Sequence, residues 1–209
     1  MTNCAETGKA LEDCPIPVVL VDRKLDGFNE NAFIEADNYK GGYLAAEHLV
    51  QCGCKNIVCM KEPTGYSSGR RRYEGYLDVC QKYNLKEQSV DCCYNYESGL
   101  RAAEEILKKY PEVDGVVAGN DIVAMSVYKV FTRHGKKIPQ EVQLVGFDDV
   151  GFGELFIPEL TTIHQPIKEM GHLAAEIILK AVNGEPYEKK NVFDVKLVER
   201  ETTKNMQNL

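Results

Sequence analysis

Residues Leu144–Pro166 read LVGFDDVGFGELFIPELTTIHQP, and the reading of this stretch decides the fold. Its first four residues are a short apolar run of the kind a strand buried on both faces needs. The run stops at Asp148 and Asp149. Open α/β sheets bind ligands outside the carboxyl ends of their strands, so these carboxylates stand where a ligand would. GFGELFIP follows, with Phe152, Leu155, Phe156 and Ile157 in a loop-like setting. TTIHQP then delivers Gln165 before a proline, which predicts Asp148 and Gln165 at two edges of one cleft.

Outward from there, strands and helices alternate. Pro17 to Val21 is a β-branched strand ending on Asp22-Arg23, and Leu25 to Ala36 reads as a loop. Asn38 can cap a helix to about Cys52, with Gly53 as its stop. Three strand–helix pairs come next: Asn56 to Met60 with Gly69 to Tyr83, Ser89 to Cys93 with Glu97 to Lys109, and Gly115 to Ala118 with a helix from Asn120 to about His134. Val142 to Phe147 is a further strand. After the TTIHQP segment a helix runs from Ile167 to about Val182 and a last strand from Val192 to Val198, and the polar tail beyond Glu201 is expected to be disordered. The alternation predicts an α/β fold, a doubly wound parallel sheet with helices on both faces.

Bulk properties narrow the function. At 209 residues the chain can form one domain or two small lobes. A net charge of −7 gives no basic face for holding nucleic acid. No apolar run is long enough to span a bilayer, and MTNCAETGKALED carries no basic-then-apolar export pattern, so the expected location is cytoplasmic, away from membranes. Eight cysteines, without paired C-x-x-C spacing, read as reduced structural thiols. The four histidines lack metal-ligand spacing, so neither a metal nor another cofactor is expected.

Asp22, Arg23, Asn38, Arg72, Asn120 and Asp148 follow strands or begin helices, the positions that face a ligand crevice in such a sheet. Carboxylate and amide oxygens accept from sugar hydroxyls, while guanidinium and amide N–H groups donate to them. Tyr94 can cover the apolar face of a sugar ring. Plainer roles exist for each: Asn38 and Asn120 as helix caps, Arg23 and Arg72 as solvated or ion-paired groups, Tyr94 as core. Asp121 and Asp149 read as residues behind the site or exposed. Arg72 and Asp148 are expected to line a solvent-accessible crevice, with folding nearly indifferent to either.

A hydrolase reading competes. Gly65-Tyr66-Ser67-Ser68-Gly69 matches G-x-S-x-G between a strand and a helix, and Asp148 and His164 follow in hydrolase order. Pro63 and Thr64 separate the strand from Ser67, however, and Arg70, Arg71 and Arg72 oppose the helix dipole that would help an oxyanion.

GFDD and TTIHQP, in this order and spacing, resemble the effector-binding core of LacI/GalR regulators, a periplasmic sugar-binding-protein-like fold. The resemblance runs from Pro15 to Thr202. It implies a partial N-terminal lobe from residues 1–37 and 166–190, a nearly complete C-terminal lobe from 38–165 and 191–202, and a tail at 203–209. The helix-turn-helix and the opening of the first lobe have no counterpart here. By the same resemblance Asp22, Arg23, Asn38, Arg72, Tyr94, Asn120, Asp148 and Gln165 bind a monosaccharide or related small effector, and lobe closure on it adjusts operator binding by the DNA-binding head. It further implies a homodimer through Phe152, Leu155 and Phe156, and no catalysis. A stand-alone sugar-binding protein is the alternative within binding proteins.

Overall fold

The computed structural model describes residues 11, 15–24, 32–63, 66–151, 153 and 157–204. In chain order the first elements are β1 (Val19–Val21), β2 (Ala32–Ala36), α1 (Asn38–Gln51), β3 (Ile57–Lys61), α2 (Ser67–Lys82), β4 (Ser89–Asp91) and α3 (Tyr96–Lys109). They continue with β5 (Gly115–Val117), α4 (Asp121–Arg133), β6 (Gln143–Asp148), β7 (Thr161–His164), α5 (Ile167–Asn183), β8 (Lys190–Phe193) and β9 (Lys196–Val198). The chain divides into two compact units, residues 1–37 with 166–194 and residues 38–165 with 195–209.

The larger unit is built on a six-stranded sheet in the order β4-β3-β5-β6-β7-β9. Every pairing is parallel except that of β7 with β9. The runs that form β3 and β6 are buried almost throughout, as strands covered on both faces must be. On one face Met60, Val116 and Leu144 join Ala103, Ile106, Val123, Val127 and Phe131 from α3 and α4 in a single apolar core. The other face carries α1 and α2, where the Tyr76 hydroxyl donates to Ile57 O and Gln88 O, both at 3.0 Å. These two helices touch backbone to backbone: a Cβ on Gly42 would lie 1.9 Å from Arg72 O, and one on Gly75 would lie 2.2 Å from Tyr39 O. Taken alone, the five parallel strands of this unit have the order 2-1-3-4-5, so the topological switch falls between β3 and β5.

In the smaller unit β1, β2 and β8 form a parallel sheet, with α5 packed on β1 and β2 through Met170 and Ile177.

Four features differ from the sequence-based expectation. Ala32–Ala36 is the central strand of the smaller sheet, not part of a loop. AFIEA is only five residues between polar flanks, and its burial comes from its neighbours β1 and β8 rather than from a visible period. Thr161–His164 is a strand as well, paired on both sides. The last strand is two: β8 pairs with β2, whereas β9 pairs with β7 in the other sheet. Finally, Thr202 and Thr203 are buried, not loose. Thr202 Oγ1 donates to Leu144 O at 2.7 Å and accepts from Thr161 N at 2.8 Å, and Thr203 Oγ1 lies 2.9 Å from His48 Nε2.

Candidate ligand-binding site

Six of the eight expected site residues belong to the larger unit, at the carboxyl edge of its sheet or the helix starts that follow. Arg72 ties several together. Its Nε donates to Asn38 Oδ1 at 2.8 Å and its Nη1 to Gly119 O at 2.6 Å. The guanidinium carbon stands 3.5 Å from the centroid of the Phe147 ring and 5.7 Å from that of Tyr94. One cation thus touches residues from α1, β6 and the turns after β4 and β5. Arg72 is buried, which corrects the expectation of a freely solvated crevice. Part of its donor fork is committed to the protein itself.

The Tyr94 ring packs against Gly119, where a Cβ would fall 2.0 Å from a ring carbon, so the placement of the ring depends on glycine at that turn. Burial holds the Tyr94 hydroxyl above its usual range, hence neutral. Asn120 caps α4, its Oδ1 accepting from Val123 N at 2.9 Å, while its Nδ2 donates to Tyr94 O at 3.4 Å. The capping role is therefore real, and it leaves the amide beside the tyrosine.

Asp148 and Gln165 do not face each other across a cleft: Gln165 Nε2 donates to Asp148 Oδ1 at 2.6 Å. The reason is topological. β6 and β7 are adjacent, and Asp148 is registered with His164, so Gln165 emerges beside the carboxylate. Asp148 and Asp149 have φ values of 112° and 58°, a strained backbone that natural chains retain where the surroundings fix it, often at binding sites. Asp149 is held on both sides, by Arg200 Nη2 and His164 Nδ1, each at 2.8 Å. Those bonds keep its carboxyl below the ordinary range against the opposing effect of burial.

Asp121 is fully buried at the first turn of α4, not exposed. Burial pushes its carboxyl up to about 6, against the hydrogen bonds it accepts from Thr162 and Val150. Sequence reasoning gave this residue a place behind the site or on the surface, and it passed over Phe147, Gly119 and Arg200. The signal available was Asp121 directly after a capping asparagine.

Asp22 and Arg23 lie in the smaller unit, after β1. Asp22 has φ 69°, its Oδ2 is 3.7 Å from Arg23 Nε, and among the described residues its buried Oδ1 has no hydrogen-bond partner.

For the hydrolase reading, Gly65 and Thr64 fall outside the described residues. Among the described residues, Ser67 Oγ is buried and has no hydrogen-bond partner, where an activated nucleophile would have a base within reach. The carboxylate that His164 engages is Asp149 rather than Asp148. Phe152, Leu155 and Phe156 also lie outside the described residues, while Ile157 beside them is 87% exposed. Among the described residues no His, Cys, Asp and Glu cluster is placed to hold a metal ion, and no helix is long and apolar enough to cross a membrane. Cys52, Cys54, Cys59, Cys80 and Cys92 are free and buried, and burial pushes Cys52 and Cys92 up to about 11 and Cys54 up to about 12.

A doubly wound lobe with polar groups gathered at its carboxyl edge is an arrangement suited to holding a small ligand. The chain belongs to the periplasmic binding protein-like domain family, whose model matches residues 46–203. It is 33% identical over 202 residues to the ribose operon repressor of Halalkalibacterium halodurans, covering 96% of this chain and 60% of the repressor. The ribose operon repressor of Bacillus subtilis is 30% identical over 190 residues, covering 90% of this chain and 57% of its own. The chain thus spans about three-fifths of the length of these repressors. Among solved structures, a periplasmic binding protein/LacI transcriptional regulator from Alkaliphilus metalliredigens complexed with D-xylulofuranose superposes with a TM-score of 0.82 at 34% identity, covering 92% of this chain and 73% of that one. A LacI family regulator from Enterococcus faecalis with bound ribose gives 0.83 at 29% identity, covering 97% and 75%.

Proposed function

We propose that this chain is the effector-binding part of a LacI-type transcriptional regulator and that its effector is a pentose or similar monosaccharide. The observation that carries the reading is the convergence of Asn38, Arg72, Tyr94, Asn120, Asp148 and Gln165 at one edge of one sheet, with donors, acceptors and an aromatic face together. Such a mixture suits a polyol, whose hydroxyls both donate and accept and whose ring has an apolar face. Relatives named as ribose repressors and neighbours solved with ribose or D-xylulofuranose support the pentose. In the smaller unit, taken by itself, Asp22 and Arg23 are further candidate contacts. Asp22 Oδ1, buried and unpartnered among the described residues, suits a hydroxyl donor.

The two compact units correspond, on this reading, to a nearly complete lobe and part of a second. Regulation follows from linkage: an effector that favours one conformation shifts the population toward it, and attached DNA-binding sequence reads the shift. Operator contact belongs to such attached sequence, because a chain of net charge −7 has the wrong sign for holding DNA alone. We place a homodimer contact at Phe152, Leu155 and Phe156, next to the exposed Ile157. No catalytic step is involved, and the site of action is the cytoplasm.

The test is a thermal-shift and calorimetric screen of D-ribose, D-xylulose, D-xylose and glucose. A ligand that binds only the folded state raises the melting temperature. A pentose should do so, and Asp148→Ala should reduce the shift. No response to any sugar would sink the reading.

A further inference from the structure

We propose that Asp121 is the positioning residue of the candidate site: its buried carboxylate pins the turn after β6 to β7 and so sets where the Asp148 carboxylate meets the ligand. The inference rests on the sugar-binding reading for its ligand, but not for its geometry.

Asp121 uses both oxygens. Oδ1 accepts from Thr162 Oγ1 at 2.6 Å, and Oδ2 accepts from Val150 N at 3.0 Å. Thr162 sits on β7, in register with Gly146 of β6. A Cβ at Gly146 would lie 2.3 Å from Asp121 Oδ1, so the carboxylate reaches the sheet only because β6 has no side chain there. Val150 comes two residues after Asp148, across the two positive-φ positions. The turn is also held by side chains, Gln165 on Asp148 and Arg200 with His164 on Asp149. The Gln165 backbone amide holds the Asp148 carbonyl at the start of the strained segment, and the Asp121 side chain grips the backbone where that segment ends.

This placement explains a costly choice. A fully buried carboxylate beside Asp148 and Asp149 is disfavoured by desolvation and by like charge. Its neighbour Asn120 is itself a proposed ligand contact. The Asn120-Asp121 pair therefore presents one group to the ligand and uses the next to fix a second contact on another strand.

The experiment uses the 209-residue chain with Asp121→Ala, Asp121→Asn and Thr162→Val, each also combined with Asp148→Ala. Residue-resolved hydrogen exchange without ligand reads the Val150 amide, and calorimetry with D-ribose reads the site. Asp121→Ala should speed Val150 exchange and weaken ribose about tenfold, the scale of one lost charge-assisted bond. Asp121→Asn, which still accepts from Val150, should recover most of both. Thr162→Val should shift both in the same direction by less, and it serves if Asp121→Ala fails to fold. In the Asp148→Ala background the Asp121 substitution should add little, since positioning has nothing left to position. An unchanged Val150 amide, or an affinity loss that adds in full to that of Asp148→Ala, would overturn the proposal. If the parent binds no sugar, the functional reading fails, and the Val150 amide alone then decides whether Asp121 holds the turn.

Discussion

The guanidinium of Arg72 lies over the ring of Phe147, 3.5 Å from its centroid, immediately before Asp148 in the chain. The stack and the bonds to Asn38 and Gly119 leave the arginine little freedom, so its remaining N–H groups are preorganised. Arg72→Ala is expected to cost about 2–4 kcal/mol of sugar affinity. It should also cost about 1–3 kcal/mol of folding stability, because Gly119 O loses its donor in a buried setting. Arg72→Lys should rescue neither, since an ammonium cannot donate along two edges while stacking on a ring. Calorimetry with D-ribose and urea melts check the two numbers separately, and full recovery by lysine would contradict this account.

The α1–α2 crossing gives a prediction independent of any ligand. A Cβ at Gly42 would meet Arg72 backbone, not a movable side chain. Gly42→Ala is therefore expected to destabilise the protein by about 2–4 kcal/mol through forced separation of the two helices. Gly53→Ala, where nothing lies within 4 Å of the added carbon, tests φ strain alone and should cost less. Equal urea midpoints for the two variants would refute the crossing argument.

Thiol chemistry separates the cysteines by burial. Cys59 and Cys92 are shut in the core, and burial holds both thiols well above their ordinary range. Cys93, next to Cys92, is only half-buried. Among Cys52, Cys54, Cys59, Cys80, Cys92 and Cys93, iodoacetamide at pH 8 should label Cys93 first, because it is the most accessible of the six and burial holds the other five thiols protonated. Peptide mass spectrometry after brief alkylation reads the order, and early labelling of Cys59 would show that the core opens.

Much of this was legible in the chain because it is local. Asn120 before an amphipathic run announces a cap, and LVGFDD announces a buried strand with carboxylates at its end. What escaped is long-range. AFIEA and TTIH are too short to show a period, and each becomes a strand only between neighbours brought from elsewhere. Arg72 finds its partners 34 and 47 residues away, and Asp121 finds Val150 and Thr162 at 29 and 41. Those meetings follow from the strand order β3-β5-β6-β7, which local patterning does not encode. The Thr202 and Thr203 hydroxyls looked like a polar tail for the same reason: their hydrogen-bond partners are in β6, β7 and α1.

Asp121 also makes stability depend on pH in a direction opposite to that of most carboxylates. Burial raises its carboxyl from 3.8 to about 6 in the folded protein, with Asp148 and Asp149 adding to the rise and the Thr162 hydroxyl and Val150 amide opposing it. The folded state thus holds this proton more tightly than the unfolded chain. Its stabilising contribution is complete below about pH 3.8 and is lost as pH climbs through about 6. The full difference is on the order of 2–3 kcal/mol, from a shift of about two pH units. Other groups titrate in the same window, notably His48, whose burial favours the neutral ring and whose contribution therefore fades as pH falls below 6.5. Comparison with Asp121→Asn removes them, since an amide does not titrate. Between pH 7.5 and 5 the parent should gain stability relative to Asp121→Asn, most of it below pH 6. At pH 7.5 the variant should be at least as stable as the parent, because it keeps the Val150 bond without the buried charge. Urea melts of both proteins at half-unit pH steps measure the difference, and parallel curves across that range would show that Asp121 does not titrate there.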